Sequence, residues 1–456
     1  MIRFILADLR RLWLGALVVV LLVALAVALS VTVTLQERSL RLGSARAADK
    51  FDLVVGAAGS ETQLVLSSVF LQPSPLPLME GEVLARLAND PRVAWAAPIG
   101  FGDSFNGFPI VGTTTALVAN LSAGLQEGRV FMTEGQAVVG SAVSLALGAE
   151  IKPMHGAPGE GGHTHGELAY TVSGRLKSTG TAWDRAILVP IQAVWHIHGL
   201  GHDDGTEGKV VAATSGQEKP QSEHDHDHAS GSESNHDHAS HDHSGHGHFA
   251  SPSQDHDHEA HNHSAHADAP IVEDWDHDVP GLPAILVKPK TIADAYKLRQ
   301  EYRSGTTVGV FPGEVLTRLY ATLGDARLVL FAVATGSQVL VAASLLLVTV
   351  LHIGQRRRQI GALRAFGAPR AALFSIVWLE LLCLIGTGVI LGFLMGYGAS
   401  MAIARVLAGE SGIVFPVTFI GQDVLLAAII LGFAAILAAI PAALAYRQSP
   451  AAALRA

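Results

Sequence analysis

The stretch QRRRQIGALRAFGAPR, residues 355–370, lies between two long apolar segments and carries five arginines in 16 residues. Small residues separate the apolar ones after the basic run, and Gly367 and Pro369 favour the end of a short helix there. Arginine-rich loops beside apolar spans stay on the cytoplasmic side of a membrane. The stretch therefore predicts a short cytoplasmic helix that joins two membrane spans.

Four apolar segments of the chain are each long enough to cross a bilayer, which takes roughly 20 residues. They cover about residues 13–35, 328–353, 373–397 and 424–446. The first follows a basic N-terminus, as a secretory signal would, but its apolar run exceeds the roughly 7–15 residues of a signal core. We expect an uncleaved protein with four spans.

Basic residues set the predicted orientation of these spans. They cluster before the first span, in the loop 354–371 and after the fourth span. A four-span chain places these three segments on one side of the membrane, so the positive-inside rule makes both termini cytoplasmic. The long segment 36–327 then faces outwards.

The outward segment predicts a mixed α/β domain. Apolar runs bounded by Gly, Pro, Asn and Asp predict strands, and apolar residues at helical spacing predict helices. The predicted strands are FDLVVG (51–56), RVAWAAPIG (92–100), AILVPIQAVW (186–195) and AILVKPK (284–290). The predicted helices are MEGEVLARLAND (79–90), TIADAYKLRQEYR (291–303), with Thr291 as its N-cap, and EVLTRLYATLGDARLVLFAV (314–333), which enters the second span.

The fold class is therefore an α-helical four-span bundle with an extracytoplasmic mixed α/β domain. The predicted boundaries are 1–35 for the first span, 36–215 and 270–327 for the two parts of the outer domain, 216–269 for an insert, and 328–456 for the remaining spans.

The insert is rich in histidine and aspartate. It holds eleven acidic residues against one lysine, a net charge of −10, whereas the whole chain carries −9, so the remainder sums to +1. High polarity without apolar periodicity predicts a segment that is disordered without a ligand.

Imidazole and carboxylate groups bind Zn, Cu and Ni, so the insert predicts diffuse capture of a divalent metal, with zinc expected. A polar spacer and a pH-sensing segment are the alternatives. The candidate ligands of the insert are His224, His226, His228, His236, His238, His241, His243, His246, His248, His256, His258, His261, His263 and His266.

A second group of candidate ligands lies outside the insert. His163, His165 and Glu167 fall within five residues, and His196 and His198 would point the same way on a strand. His155, His202 and His277 are further members of this group. An ordered metal site and ordinary loop residues are the two interpretations.

The single cysteine, Cys383, lies in an apolar segment. An intrachain disulfide and a cysteine-based metal site are therefore both excluded.

The longer stretch QRRRQIGALRAFGAPRAALFSIVWLE, residues 355–380, resembles the signature of the MacB/FtsX-like family of ABC transporter permeases. The C-terminal RQSPAAALRA resembles the closing segment of that family, and the four-span layout is similar to its plan. The resemblance implies a bacterial inner-membrane protein with a periplasmic outer domain and a coupling helix that docks onto a separate ABC ATPase. It assigns that contact to Ile360, Gly361, Leu363, Arg364, Ala365, Gly367 and Arg370.

The sequence contains no Walker A motif, so ATP hydrolysis is expected in the partner chain and no enzyme activity in this one. The resemblance implies a homodimer that works with two ATPase subunits, and a periplasmic or outer-membrane partner, but no nucleic acid. The histidine-rich insert departs from the better-known members and points to a branch linked with zinc-responsive operons.

Two alternatives to a mechanotransmission permease stay open: direct transport of the metal ion, and a non-transporting scaffold. The scarcity of charged residues in the central part of the predicted spans disfavours an ion path through them.

Overall fold

The computed structural model describes residues 13–155, 169–200, 267–322 and 369–447, apart from Pro73 and residues 276–278, together with single positions between 328 and 343. Three helices in these ranges are long and apolar enough to cross a membrane, at Trp13–Ala48, Phe374–Ser411 and Gly421–Ile440. They correspond to the first, third and fourth predicted spans. Most of the second predicted span lies outside the described residues, so the count of four stays a prediction.

The described helices belong either to the outer domain, which contains a single mixed sheet, or to the membrane bundle. They are α1 (Trp13–Ala48), α2 (Glu61–Ser68), α3 (Glu82–Ala88), α4 (Thr115–Leu121), α5 (Ile191–Ile197), α6 (Ile292–Glu301), α7 (Pro312–Thr322), α8 (Arg370–Ser411) and α9 (Gly421–Arg447), with a 3₁₀ helix at Ala182–Arg185.

The strands follow one another along the outer domain. They are β1 (Leu53–Ala57), β2 (Val93–Phe105), β3 (Phe108–Thr113), β4 (Leu125–Gly128), β5 (Gln136–Val139), β6 (Glu150–Ile151), β7 (Met154–His155), β8 (Tyr170–Leu176), β9 (Ile187–Pro190), β10 (Ala284–Pro289) and β11 (Thr307–Val310). Their order in the sheet is β11-β1-β10-β2-β3-β9-β5-β8-β4, with β6 beside β8 and β7 beside β2.

The strand β2 joins the two halves of this sheet. Its first part pairs with β10, from Val93 to Ile99, and its second part pairs with β3 and β7, from Gly100 to Phe105. The helix α5 lies over this junction, with Ile191 and Trp195 in one hydrophobic cluster and Ala193 and Val194 in the next. The same short helix therefore contacts the cores of both halves.

Most of the sequence-based assignments in the outer domain are confirmed. The predicted helix at 291–303 is α6, and the Thr291 hydroxyl accepts a hydrogen bond of 3.1 Å from the backbone N–H of Asp294, as an N-cap does. The prediction of one strand across AILVPIQAVW is wrong in its second half, because the chain turns from β9 into α5 at Pro190–Ile191. Proline lacks a backbone N–H for the ladder and is well tolerated where a helix starts.

Helices α1 and α8 pack against each other through glycine. Gly388, Gly392 and Gly396 are spaced four residues apart and lie against Val23, Val27 and Val31 in the same order along the chain. The two helices therefore run parallel. A Cβ built on any of these glycines would lie 2.7–2.8 Å from the facing valine Cβ, so only glycine permits this approach.

Helix α9 runs in the opposite direction. The indole N–H of Trp378, near the start of α8, donates to the carbonyl of Ala435, in the second half of α9. The start of α1, the start of α8 and the end of α9 consequently lie at one end of the helical bundle.

Candidate metal centre and membrane joint

The hairpin of β2 and β3 positions the first candidate ligand. Asn106 and Gly107 have φ of +48° and +81°, which is the two-residue turn that matches the twist of antiparallel strands. The register between the strands shifts between Gly100 and Asp103, so β2 carries a bulge there. Bulges change the direction of side chains, and here the Asp103 side chain is 2% exposed and lies opposite His155 of β7.

Asp103, His155 and His198 form what we call the carboxylate–histidine cluster. One oxygen, Oδ1 of Asp103, lies 3.5 Å from Nδ1 of His155 and 3.9 Å from Nε2 of His198. The centroids of the two imidazole rings are 5.5 Å apart. One ligand atom from each residue lies within 4.8 Å of the other two, so the three residues could hold one metal ion.

The end of α5 orients His198. Nδ1 of its ring lies 2.9 Å from the carbonyl oxygen of Val194, and because that oxygen can only accept, Nδ1 carries the proton. In a neutral ring, Nε2 then presents its lone pair to Asp103. Gly102 makes room for it, since a Cβ at this position would lie 2.5 Å from Nε2.

A second carboxylate–imidazole pair involves His196 of α5, two residues before His198. Nδ1 of His196 donates to Oε2 of Glu134 at 2.7 Å, and this hydrogen bond raises the pKa of His196. The Glu134 side chain is 6% exposed. Burial raises the pKa of Tyr170 well above its usual value, and the charges of Asp103 and Glu134 raise it further. Tyr170 therefore stays neutral between two buried carboxylates.

The structure brings together part of the predicted ligand group and separates the rest. His198 joins His155 in the carboxylate–histidine cluster, whereas His196 pairs with Glu134. The prediction that His196 and His198 share one face of a strand is wrong, because His196 is in α5 and His198 follows its last residue. His163, His165, Glu167, His202, His277 and the fourteen histidines of the insert lie outside the described residues.

Asp103 was absent from the predicted ligands. The signal that identifies it is the Asn-Gly turn in FGDSFNGF, which fixes a hairpin and thereby places Asp103 two residues before the end of β2.

The histidine-rich insert is anchored at this part of the domain. Its sequence follows α5 and His198, and the described chain resumes at Ala267. The carbonyls of Ala267 and Ala269 accept hydrogen bonds from the backbone N–H groups of Gly135 and Glu134, at 2.9 and 3.0 Å. The chain thus leaves near His196 and returns beside the residue with which His196 pairs.

Contacts between the outer domain and the membrane helices form what we call the membrane joint, made of Arg38, Ser44, Arg185, Tyr320 and Asp423. The guanidinium of Arg38 in α1 binds both carboxylate oxygens of Asp423 in α9, at 2.7 and 2.9 Å, and the two side chains are 12% and 6% exposed. The hydroxyls of Ser44 and Tyr320 are 2.6 Å apart and connect α1 with α7.

Arg185 links the hairpin to the end of α8. One guanidinium nitrogen donates to the carbonyl of Gly409 at 2.6 Å, and the other donates to the carbonyl of Gly107 at 3.4 Å. The same group lies 4.9 Å from the centroid of the Phe108 ring. Arg185 therefore bridges the turn that follows Asp103 and a membrane helix.

An apolar helical bundle fused to an extramembrane α/β domain defines a membrane protein, and its C-terminal sequence identifies the class more closely. Residues 331–451 match the model of the FtsX-like permease C-terminal domain. This match supports the FtsX/MacB-like permease family, whose members are transmembrane subunits of ABC systems and work with an ABC ATPase. No curated protein matches the chain.

The predicted coupling residues fall within the matched range. Ile360, Gly361, Leu363, Arg364, Ala365 and Gly367 lie outside the described residues. Arg370 is the first residue of α8, directly after the N-cap Pro369. The loop thus leads straight into the helix that packs on α1.

Proposed function

We propose that this chain is the permease of a mechanotransmission ABC system of the MacB type. A partner ATPase docks on the loop 354–371, hydrolyses ATP and moves the membrane helices, and α1 carries the movement to the outer domain. The observation that carries this proposal is α1 itself, an unbroken helix of 36 residues. At 1.5 Å per residue it is about 54 Å long, well beyond a hydrocarbon core of roughly 30 Å.

Two features support transmission along α1. The glycine contacts at Gly388, Gly392 and Gly396 pack α1 closely on α8, which favours movement of the two helices as a pair. At the outer end, the Arg38–Asp423 pair and the Ser44–Tyr320 hydrogen bond attach the helix to α9 and α7. A displacement at the inner end would reach the outer domain through these contacts.

The proposed orientation is that of an inner-membrane protein with cytoplasmic termini and a periplasmic outer domain. Basic residues precede α1, precede α8 and follow α9. The directions of the three described spans support this orientation, because they bring these segments to one end of the bundle. A homodimer with two ATPase subunits completes the proposed assembly.

The proposed role of the histidine-rich insert is to collect divalent metal, with zinc expected, at the outer face of the membrane. Alternating His and Asp provide many equivalent ligand pairs and favour modest, unselective binding. In this proposal metal changes the response of the system to ATP, whereas the moved substrate is an envelope component.

The test of coupling uses the permease reconstituted with its ATPase in lipid nanodiscs. Leu363→Glu places a charge at the proposed contact, and Gln355→Ala at the start of the same loop is the matched control. We expect L363E to abolish association with the ATPase and ATP-dependent movement of the outer domain, measured by distances between spin labels on α1 and the sheet. Unchanged distances in the unmutated complex during ATP turnover would refute mechanotransmission.

A variant of the histidine-rich insert distinguishes direct metal transport from the proposed function. Replacement of its fourteen histidines by Asn would abolish ATP-driven metal flux into or out of vesicles if the chain transports the ion. The proposed function predicts instead that ATP-driven movement persists and only its dependence on added Zn²⁺ changes.

A further inference from the structure

We propose that Asp103, His155 and His198 form an ordered binding site for one divalent transition-metal cation of the zinc class. This site differs from the diffuse insert in that its three ligands come from β2, β7 and the end of α5. The first argument for this site is the set of distances between its ligand atoms. The two imidazole nitrogens lie 3.5 and 3.9 Å from one carboxylate oxygen, beyond the usual range of a direct hydrogen bond.

The same separations fit a shared cation. Ligand atoms about 2.0–2.2 Å from a tetrahedral zinc lie roughly 3.3–3.5 Å from each other. Two imidazoles on one such ion have ring centroids about 5 Å apart, and the observed value is 5.5 Å. Small side-chain adjustments therefore suffice to bring the three ligands onto one ion.

The neighbours of His198 hold its ring in an orientation that suits a metal ligand. A metal-binding histidine usually donates its other ring N–H to a carbonyl or carboxylate, which fixes the tautomer and the ring orientation. His198 does so through Nδ1 and the carbonyl of Val194, at 2.9 Å. Gly102 leaves room for Nε2, because a Cβ at this position would lie 2.5 Å from that nitrogen.

The donor set identifies the class of ion. Two imidazole nitrogens and one carboxylate suit Zn²⁺, Co²⁺, Ni²⁺ or Cu²⁺, whereas Mg²⁺ and Ca²⁺ prefer oxygen ligands alone. The side chain of Asp103 is 2% exposed, that of His198 is 22% exposed and that of His155 is 48% exposed. The site thus has a buried anionic floor and opens to solvent on the His155 side, which suits an exchangeable ion.

The position of the site gives the ion a mechanical effect. Asp103 follows the β2 bulge and precedes the hairpin turn, whose Gly107 carbonyl binds Arg185 and, through it, Gly409 of α8. His198 ends α5, which packs on both halves of the sheet. A bound ion would tie the hairpin, β7 and α5 together and stiffen the outer domain next to a membrane helix. This second step rests on the proposed function, whereas metal binding does not.

The binding test uses the full chain in nanodiscs with the fourteen insert histidines replaced by Asn, so that diffuse binding does not mask the site. Zn²⁺ is titrated calorimetrically, and the visible absorption of Co²⁺ reports tetrahedral geometry. We expect one ion per chain, and a loss of affinity of at least about tenfold in His198→Ala, Asp103→Asn and His155→Ala. His155 is half-exposed, so His155→Ala should fold even if the variants of the more buried ligands unfold. That variant then still tests the site.

His196→Ala is the matched control, because His196 belongs to the same helix but pairs with Glu134. Its affinity should stay within about twofold of the parent. The site is overturned if the parent binds no ion with defined stoichiometry, or if the three ligand variants bind as tightly as this control.

The mechanical step is measured in the same nanodiscs with the ATPase added. We expect Zn²⁺ to change the ATP hydrolysis rate of the parent by at least twofold and to leave that of His155→Ala unchanged. Zn²⁺ binding without any such change overturns the mechanical step alone. Absence of ATP-driven movement with and without Zn²⁺ overturns the proposed function, while the titration still decides the site.

Discussion

The membrane joint, where the outer domain meets the membrane helices, and the carboxylate–histidine cluster of the outer domain are built from different kinds of contact. At the joint, Arg38 and Asp423 form a bidentate ion pair with distances of 2.7 and 2.9 Å, and both side chains are nearly buried. In the cluster, Asp103 meets two imidazoles at 3.5 and 3.9 Å, which is too long for direct hydrogen bonds. The joint is a direct ion pair, whereas the cluster has the wider spacing on which the proposed metal site rests. In the proposed mechanism, the joint transmits force and the cluster binds the metal ion.

Removal of one charge from the membrane joint should cause the largest loss of stability. Asp423→Ala leaves the Arg38 guanidinium nearly buried without its counter-ion, which costs about 3–5 kcal/mol in comparable pairs. We expect that loss in the free energy of unfolding of the detergent-solubilised protein. The double variant Arg38→Met/Asp423→Leu removes both charges and should recover most of the stability. A double variant as unstable as the single one would show that the pair acts through something other than charge burial.

The packing of α1 on α8 is the next most sensitive feature of the transmitting region. Gly392→Leu places a large side chain where a Cβ alone lies 2.7 Å from the backbone oxygen of Ala24 and from Cβ of Val27. Overpacking of this kind costs about 1–3 kcal/mol, and we expect reduced coupling of ATP hydrolysis to movement of the outer domain.

Gly398→Leu is the matched control for this substitution. It lies on the same helix, and none of the described residues lies within 4 Å of a Cβ built there. The variant should keep both stability and coupling. Equal damage from the two substitutions would mean that helix propensity, and not the contact with α1, decides the outcome.

The histidine region should respond to pH where the joint does not. The hydrogen bond that His196 donates to Glu134 raises the pKa of His196 above its unfolded value. A raised pKa means that the stabilisation is fully present below the unfolded pKa of about 6.5 and is lost as pH rises through the folded pKa. His196→Asn should therefore cost about 1 kcal/mol at pH 6 and less at pH 9, measured by chemical unfolding. A constant cost across this range would show that protonation does not matter to the pair.

Sequence patterns predicted the described membrane helices and part of the outer-domain elements, because these depend on local signals. Apolar length is enough to identify α1, α8 and α9, and apolar spacing with a Thr291 cap is enough to identify α6. The helix α5 was missed because its residues, IQAVWHI, contact two hydrophobic cores and are apolar on most sides. Apolar runs that are buried all round do not show whether they are strand or helix.

The candidate site was predicted only in part for a different reason. The density of histidine pointed to metal, and His198 and His155 were recognised as members of a ligand group. Asp103 comes from 52 residues earlier in the chain than His155, and only the pairing of β2 with β7 brings them together. Such long-range pairing is decided by the sheet as a whole and leaves no mark on local spacing.

Arg185 offers the smallest expected effect on stability and the sharpest test of whether the two regions communicate. It joins the Gly107 carbonyl, in the turn of the hairpin that holds Asp103, to the Gly409 carbonyl of α8, and these contacts are exposed. Exposed contacts of this kind contribute about 0.5 kcal/mol, so Arg185→Ala should fold normally and bind Zn²⁺ with unchanged affinity. If the hairpin passes the state of the cluster to the membrane, the same variant should lose the effect of Zn²⁺ on ATP hydrolysis. Lys177→Ala, an exposed substitution elsewhere in the outer domain, should keep that effect. A full Zn²⁺ response in Arg185→Ala would mean that any communication between cluster and joint runs by another route.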